Sequence, residues 1–557
     1  MEHEKPRFFS AEAKQLALLV LLLAAYVFFG LTGHDPWKAD EAYNFGVIHS
    51  MLEDGSWLVP LVAGEPFMEK PPLYAWVAAG LVKILHGWVS EPDAARMASG
   101  VFMGFAVWAV ASAAHQWWGN GVGRYAPLIL CGCLGLIVQS HMMMPDIPLL
   151  TGVSLALWGL SCVSQSLSKG GGLIGLGIGI SFLAKGLLGP GVIGLTLILL
   201  PLIFTQWRVK TYAYGLLVAF VVALPFLVIW PLLLYRQSPP LFFSWFWDNN
   251  FGRFLGSAEV AHGTEVPPWF WLKTLPWFAF PALPLAMHVL YVKRKLFFSD
   301  PGMQCTTLMS VVILLAISLS ASARAVYAFP LLVPLAVLAA PSVFTLGAIG
   351  DRLWFWASVV IFWPLATGAW VAWLIMMQTG TTPDWLWLRQ LLPAEFVPQF
   401  DTATFGIAVA ATLMAAAGTA RAIRMQGAGL LGWMIGMTLS WTLLSTLTMP
   451  WLDYGKSYRT VFESIPWPAA HRCVASRGLG ESERAMLDYY ADRLTIRREI
   501  SEKANCDLLL IQGYQEIGVE NVDARKWKLI WSGSRPGDTW QKFWMFEEHR
   551  YALTLPK

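Results

Sequence analysis

The sequence predicts a polytopic α-helical membrane protein of about thirteen transmembrane helices with a small C-terminal α/β domain on the periplasmic side, and three observations lead there. The 557-residue chain is 56% hydrophobic and 13% charged, whereas soluble domains are about 25% charged. Its apolar residues fall into successive runs close to the roughly 20 residues that a helix needs to cross a bilayer. From about Trp451 onward those runs stop and a mixed, polar pattern replaces them.

The first run, 16–32, follows the basic-flanked "MEHEKPRFFSAEAKQ" without a small-residue cleavage site, so it reads as a retained helix with a cytoplasmic N-terminus. Further runs lie at 95–115, 125–140, 147–165, 173–184, 188–204, 212–235, 270–291, 306–320, 326–348, 353–377, 405–421 and 428–447. The stretch 72–86 is short and follows a Pro-Pro pair, which suits an interfacial helix better than a span. Under this assignment Arg124, Lys169, Arg208, Lys210, the basic run 293–295, Arg352, Arg421 and Arg424 all face the cytoplasm, as positive residues in short loops should. The outer face then receives 34–71, the turn "HMMMPDIP", the loop 236–268 and everything after Pro450.

Two domains are expected: 1–449 in the membrane, with interfacial helices in the outer loop at about 34–90, and 450–557 outside it. In the tail, 473–476 and 507–512 read as strands, 481–493 as a helix and "SGSRPGD" as a turn between the last two strands. Cys473 and Cys506 each open a strand-like run, and an oxidising compartment would let them form a disulfide. Cys131, Cys133, Cys162 and Cys305 lie in or at the inner ends of helices, where thiols behave as small apolar groups. The net charge of +3 is small and the basic residues are scattered in short clusters, so a nucleic-acid partner is excluded.

The outer polar residues carry the functional signal. Asp40 and Glu41 open a helix-like segment in which Phe45, Ile48 and Leu52 share one face and Asp40, Tyr43 and Asn44 share the other. Such a helix lies on the membrane surface with its polar face toward an aqueous cavity. Asp40 then either caps the helix, with Glu41 complementing its dipole, or serves a site. In "EKPPLYAW" the prolines occupy a first helical turn and leave Lys70 beside unpaired backbone N–H groups, where phosphate binds; the other reading is a lysine reaching toward headgroups. Arg253 and Arg324, with Tyr327 three residues on, add cations to the same side, either as headgroup contacts or as part of a site. Lys185 interrupts an apolar hairpin, as a functional group or as the partner of Asp146. Glu69 and His262 are candidates for a divalent metal, although their spacing matches no recognised ligand motif; no other cofactor is expected.

"DEAYNFGVIHSMLEDGSWLVPLVAGEPFMEKPPLYAW", followed by "MMPDIPLL", "FLAKG", "NNFGRF", "VPPWFW" and "RAVYAFP", resembles the polyprenyl-phosphate-dependent glycosyltransferases of the GT-C fold, in particular the lipid A aminoarabinose transferases and the related protein mannosyltransferases. The resemblance covers most of the membrane region and continues more weakly into the tail. It implies a membrane transferase that moves a sugar, with inversion, from a polyprenyl-phosphate-linked donor to a lipid (lipid A-like) or envelope-glycan acceptor. It further implies Asp40 as the catalytic carboxylate, and Lys70, Arg253 and Tyr327 around the donor phosphate; Glu41, beside Asp40, and Arg324, three residues before Tyr327, join the catalytic and phosphate-binding candidates by their position in the sequence. Tyr43, Glu69, Asp146, Lys185 and His262 are further site candidates. The run "SASARAVYAFP" departs from the lysine-rich approach of the aminoarabinose transferases, which leaves sugar and acceptor open. A protein O-mannosyltransferase is the alternative within the enzyme class. A lipid-linked sugar transporter or flippase is the rival outside it, but transporters place their polar site near the bilayer midplane, not at helix ends on one face.

Overall fold

The computed structural model describes residues 11–256, 267–385, 395–468, 472–501, 506–514, 522–538 and 540–549, with Leu388 and Pro393 between the second and third of these segments. Seven helices among them are long and apolar enough to cross a membrane, or eight if the pair Phe270–Phe278 and Ala282–Val292, bent by 90°, is one span. Five shorter apolar helices accompany them: Leu16–Phe28, Leu73–Leu85, Asp146–Cys162, Leu188–Ile203 and Ala325–Ala339.

Glycines set the centre of the bundle. All 17 residues of the Asp146–Cys162 helix are buried, and it packs against Leu167–Lys185 at backbone distance. A Cβ on Gly152 would meet the Gly177 carbonyl oxygen at 2.7 Å, and one on Gly177 would meet that of Gly152 at 2.5 Å. Small residues let helices approach this closely where no hydrophobic force drives them together in lipid.

The run 125–140 is not the single span its hydropathy suggests. Its α-helix covers only Ala126–Cys131, after which the chain meets the bend of the 270–292 pair. The Leu134 N–H donates to the Phe280 carbonyl at 3.0 Å and the Gly135 N–H to that of Phe278 at 2.9 Å. Two broken helices thereby satisfy each other's freed backbone groups, the condition for irregular chain at membrane depth.

The C-terminal region forms a five-stranded sheet in the order β4-β3-β5-β7-β6, where β3 is Val474–Arg477, β4 Ile496–Arg497, β5 Leu508–Tyr514, β6 Trp527–Gly533 and β7 Gln541–Glu548. β3 runs parallel to β4 and β5, while β7 runs antiparallel to β5 and β6. Cys473 and Cys506, at the starts of β3 and β5, are joined with Cα atoms 4.8 Å apart. The "SGSRPGD" segment connects β6 to β7.

One helix of this domain, Glu481–Ala491, lies on the helix Asp40–Glu53. A Cβ on Gly46 would stand 2.5 Å from that of Ala485, and Phe45 meets Tyr489 edge-on with centroids 4.7 Å apart. The Asp40–Glu53 helix is therefore sandwiched and largely buried, rather than floating on a membrane surface as its amphipathic pattern suggests. Ion pairs fix its approach: Arg459 clasps Asp35 through two nitrogens at 3.0 and 2.6 Å, and the Lys38 ammonium donates to Glu483 at 2.7 Å.

Candidate active site

Asp40 is the first residue of its helix, and the N-cap position belongs to Ala39 without any side-chain cap. The carboxylate is thus not spent on capping. Its Oδ1 accepts a hydrogen bond from the Tyr43 hydroxyl at 2.8 Å, and its Oδ2 accepts from the Arg324 guanidinium. Tyr43 in turn accepts from Lys70 Nζ at 3.1 Å, and that ammonium lies 5.3 Å from the Tyr43 ring centroid. A continuous path Lys70–Tyr43–Asp40–Arg324 results, with contributions from three separate segments of the chain. Burial opposes ionisation of Asp40, but the hydrogen bond and charge of Arg324, with Lys70 and Tyr43 behind them, hold its carboxyl below the usual carboxylate range.

Beside this path lies a cavity of about 330 Å³. Its polar end contains Glu69, Lys70, Asp146, Lys185, Arg253, Arg324 and Tyr327. Its apolar side is built by Leu188, Val192 and Leu195 of the Leu188–Ile203 helix and by Val312, Ala316 and Ile317 of the Pro301–Leu319 helix. Arg253 donates to Glu69 at 2.7 Å. Burial raises the Glu69 carboxyl, and the Arg253 bond with the Lys70 charge outweighs it, leaving the group low. Lys185 pairs with Asp146 and places its ammonium 4.3 Å from the Tyr327 ring centroid.

Glu41 is not brought to this cluster. It is fully buried on the other side of the helix, where Arg96 Nε donates to Oε1 at 2.7 Å and the Trp37 N–H donates to Oε2 at 3.2 Å. Arg96 itself is fully buried and also donates to the carbonyls of Leu31 and His34, at 3.1 and 3.0 Å. The sequence reading did not single out Arg96; a lone arginine inside the apolar run 95–115 was the available signal. Asn250 was also missed: its Oδ1 accepts from the Leu187 N–H at 3.0 Å and fits against Gly186, whose φ of +70° and lack of a side chain permit the approach. That contact ties the loop of Arg253 to the hairpin of Lys185.

His262 lies outside the described residues. Among those described, no group of three or more His, Cys, Asp or Glu is placed to hold a metal ion. Glu69 already faces the Arg253 guanidinium, with Lys70 adjacent in sequence, a positive surrounding that disfavours a divalent cation at that carboxylate.

Residues 69–230 match the family described as dolichyl-phosphate-mannose-protein mannosyltransferase. Across 98% of its length the chain superposes on all of the crystal structure of ArnT from Cupriavidus metallidurans bound to undecaprenyl phosphate, with a TM-score of 0.70 at 15% identity. The chain has the GT-C glycosyltransferase fold. This GT-C fold extends, at a TM-score of 0.50 and 10% identity, to the archaeal oligosaccharyltransferase AglB from Archaeoglobus fulgidus, over 98% of this chain and 75% of that one. In sequence, the chain is 28% identical over 332 residues, 58% of its length, to undecaprenyl phosphate-alpha-4-amino-4-deoxy-L-arabinose arabinosyl transferase 1 of Pseudomonas fluorescens Pf0-1. It is 29% identical over 353 residues, 60% of its length, to transferase 2 of the same strain. The chain spans 56% and 59% of the length of these two relatives.

Proposed function

We propose that this chain is a membrane glycosyltransferase that takes a sugar from a polyprenyl-phosphate donor and transfers it, with inversion, to an acceptor on the outer face of a bacterial inner membrane. The observation that carries this reading is the two-character cavity, which offers cations to a phosphate at one end and an apolar wall between two helices to an isoprenoid chain. The fold and the undecaprenyl phosphate transferases among the relatives support it. The finer topology goes with it: about thirteen spans, a cytoplasmic N-terminus and a periplasmic domain from residue 450.

Breaking the donor's sugar–phosphate bond leaves an additional negative charge on the phosphate. Lys70, Arg253 and Arg324 are the groups that would meet that charge, with Tyr327 at the same end of the cavity. The acceptor hydroxyl attacks the anomeric carbon from the opposite face, and Asp40, held ionised, takes its proton. Arg324 belongs to both parts, since it lines the cavity and bonds Asp40. Phosphate competing for Arg324 would return basicity to Asp40 as the donor binds. Lys185, neutralised by Asp146, orients the Tyr327 ring.

A lipid A-like lipid or an envelope glycan is the proposed acceptor. The family match over 69–230 keeps a protein hydroxyl as the second reading. Reconstituting the purified chain in vesicles with undecaprenyl-phosphate sugars tests the proposal. Acceptor-dependent release of undecaprenyl phosphate supports it; movement of intact donor between leaflets without release makes the chain a flippase instead.

A further inference from the structure

The C-terminal domain carries a cationic cluster that the transfer chemistry above does not use. Arg484, on the helix Glu481–Ala491, and Arg497, on the edge strand β4, both direct Nη1 at one oxygen of Glu65, Oε2, at 3.0 and 3.3 Å. Glu65 sits on the short hairpin strand β2, Glu65–Pro66, five residues before Lys70. Two guanidinium groups thus share one carboxylate oxygen, and the Nε atoms of both arginines lack a hydrogen-bond acceptor. The Arg484 side chain is 3% exposed, so its charge is held in a place where an unneutralised cation is costly. Those of Arg497 and Glu65 are about a third exposed, at 32% and 34%, and are open to a ligand.

The neighbouring acid on the same helix is the exposed Glu481. Partial burial and then the Glu69 charge push the Glu481 carboxyl up, against the pull of Arg484, Arg497 and Arg253. Exposed Leu494, three residues before Arg497, reaches over Gly64 of the hairpin.

We propose that Arg497 and Arg484, with Glu65 as a displaceable counter-ion, form an anion subsite that holds a phosphomonoester on the acceptor, a contact for recognition and not the reacting group. A phosphorylated amphiphile fits on both counts: the phosphate supplies negative charge to the two guanidinium groups that share Glu65 and accepts bidentate hydrogen bonds from a guanidinium, while Leu494 offers apolar surface beside the hairpin. The inference rests on the transferase reading for the word acceptor, but binding can be measured without turnover.

Calorimetric titration of the full-length, detergent-solubilised chain with a hexose 1-phosphate tests it, with undecaprenyl phosphate titrated in parallel. Hexose 1-phosphate is expected to bind; Arg497→Ala should weaken it at least tenfold, and Glu65→Gln, which removes the competing carboxylate, should tighten it. Neither substitution should change affinity for undecaprenyl phosphate. Unchanged hexose 1-phosphate affinity in Arg497→Ala overturns the subsite, and a parallel loss of undecaprenyl phosphate binding reassigns the cluster to the donor. A third arm uses phosphatidate and phosphatidylcholine vesicles: Arg497-dependent binding to phosphatidate vesicles with no binding of hexose 1-phosphate makes the bilayer surface the source of the anion and overturns the acceptor assignment. Should the chain prove not to be a transferase, Arg497-dependent binding of hexose 1-phosphate would still stand.

Discussion

Asp40 and Glu41 are adjacent in sequence, yet the Arg324 side chain paired with Asp40 is 50% exposed while Arg96 and Glu41 are both at 0%. The first pair borders a cavity and spans two segments 284 residues apart. The second is sealed among backbone carbonyls and cannot open without exposing an uncompensated charge. One helical turn therefore presents one carboxylate to an exposed partner and seals the other against a buried one. Chemical type does not distinguish the two acids; the exposure of the partner does.

The contrast is most sharply broken by Asp40→Asn, which removes a proton acceptor at nearly constant shape. Transfer is expected to fall about 10²- to 10⁴-fold in the vesicle assay, with the fold retained and a thermal unfolding temperature lowered far less than in Glu41→Gln. Near-normal turnover would reduce Asp40 to a structural group like its neighbour. Glu41→Gln should do the reverse and lower stability by about 3–5 kcal/mol, because it strands the buried Arg96 charge. Denaturant titration reads that loss, and a Glu41→Gln protein that is stable but inactive would move Glu41 into the chemistry.

Lys70→Ala should cost about 1.5–3 kcal/mol of donor binding, a charge-assisted contact to phosphate, while leaving the fold intact. Undecaprenyl phosphate titration measures it, and wild-type affinity would shift the phosphate site away from the polar end of the cavity. The smallest effect concerns pH. Asp40 is held below the usual range, so its pairing contributes fully above the unfolded carboxylate pKa and is lost as pH falls through the lower folded value. Arg324→Ala removes the main opposing influence to burial, so the acidic limb of kcat/KM should move to higher pH. An unmoved limb would show that Arg324 does not govern the Asp40 charge.

Much of this was legible in the chain. Long apolar runs identify spans because a bilayer leaves no alternative for the backbone, and the ordered set from "DEAYNF" to "RAVYAFP" placed Asp40, Lys70, Arg324 and Tyr327 on one face before any contact was known. Three things were not legible. The run 125–140 has the hydropathy of a helix, and only the bent partner at 278–280 reveals why its backbone breaks. The Asp40–Glu53 helix looks amphipathic, but its buried face is doubled by the Glu481–Ala491 helix, a contact between segments over 400 residues apart. Glu41 reads as a complement to its helix dipole or as a catalytic candidate, and nothing in the sequence pairs it with Arg96 until their side chains meet.

The clasp on the first outer segment has a consequence for biosynthesis. Lys38 finds its partner Glu483 at a separation of 445 residues. At about 5–20 residues per second of synthesis, that partner appears roughly 20–90 s after the segment it will hold. During this interval the nascent chain already carries the Asp40–Glu53 helix but lacks the Glu481–Ala491 helix that packs on it. A chain that ends before Glu483 would therefore leave Lys38 without this ion-pair partner and Gly46 without the Ala485 side chain against it.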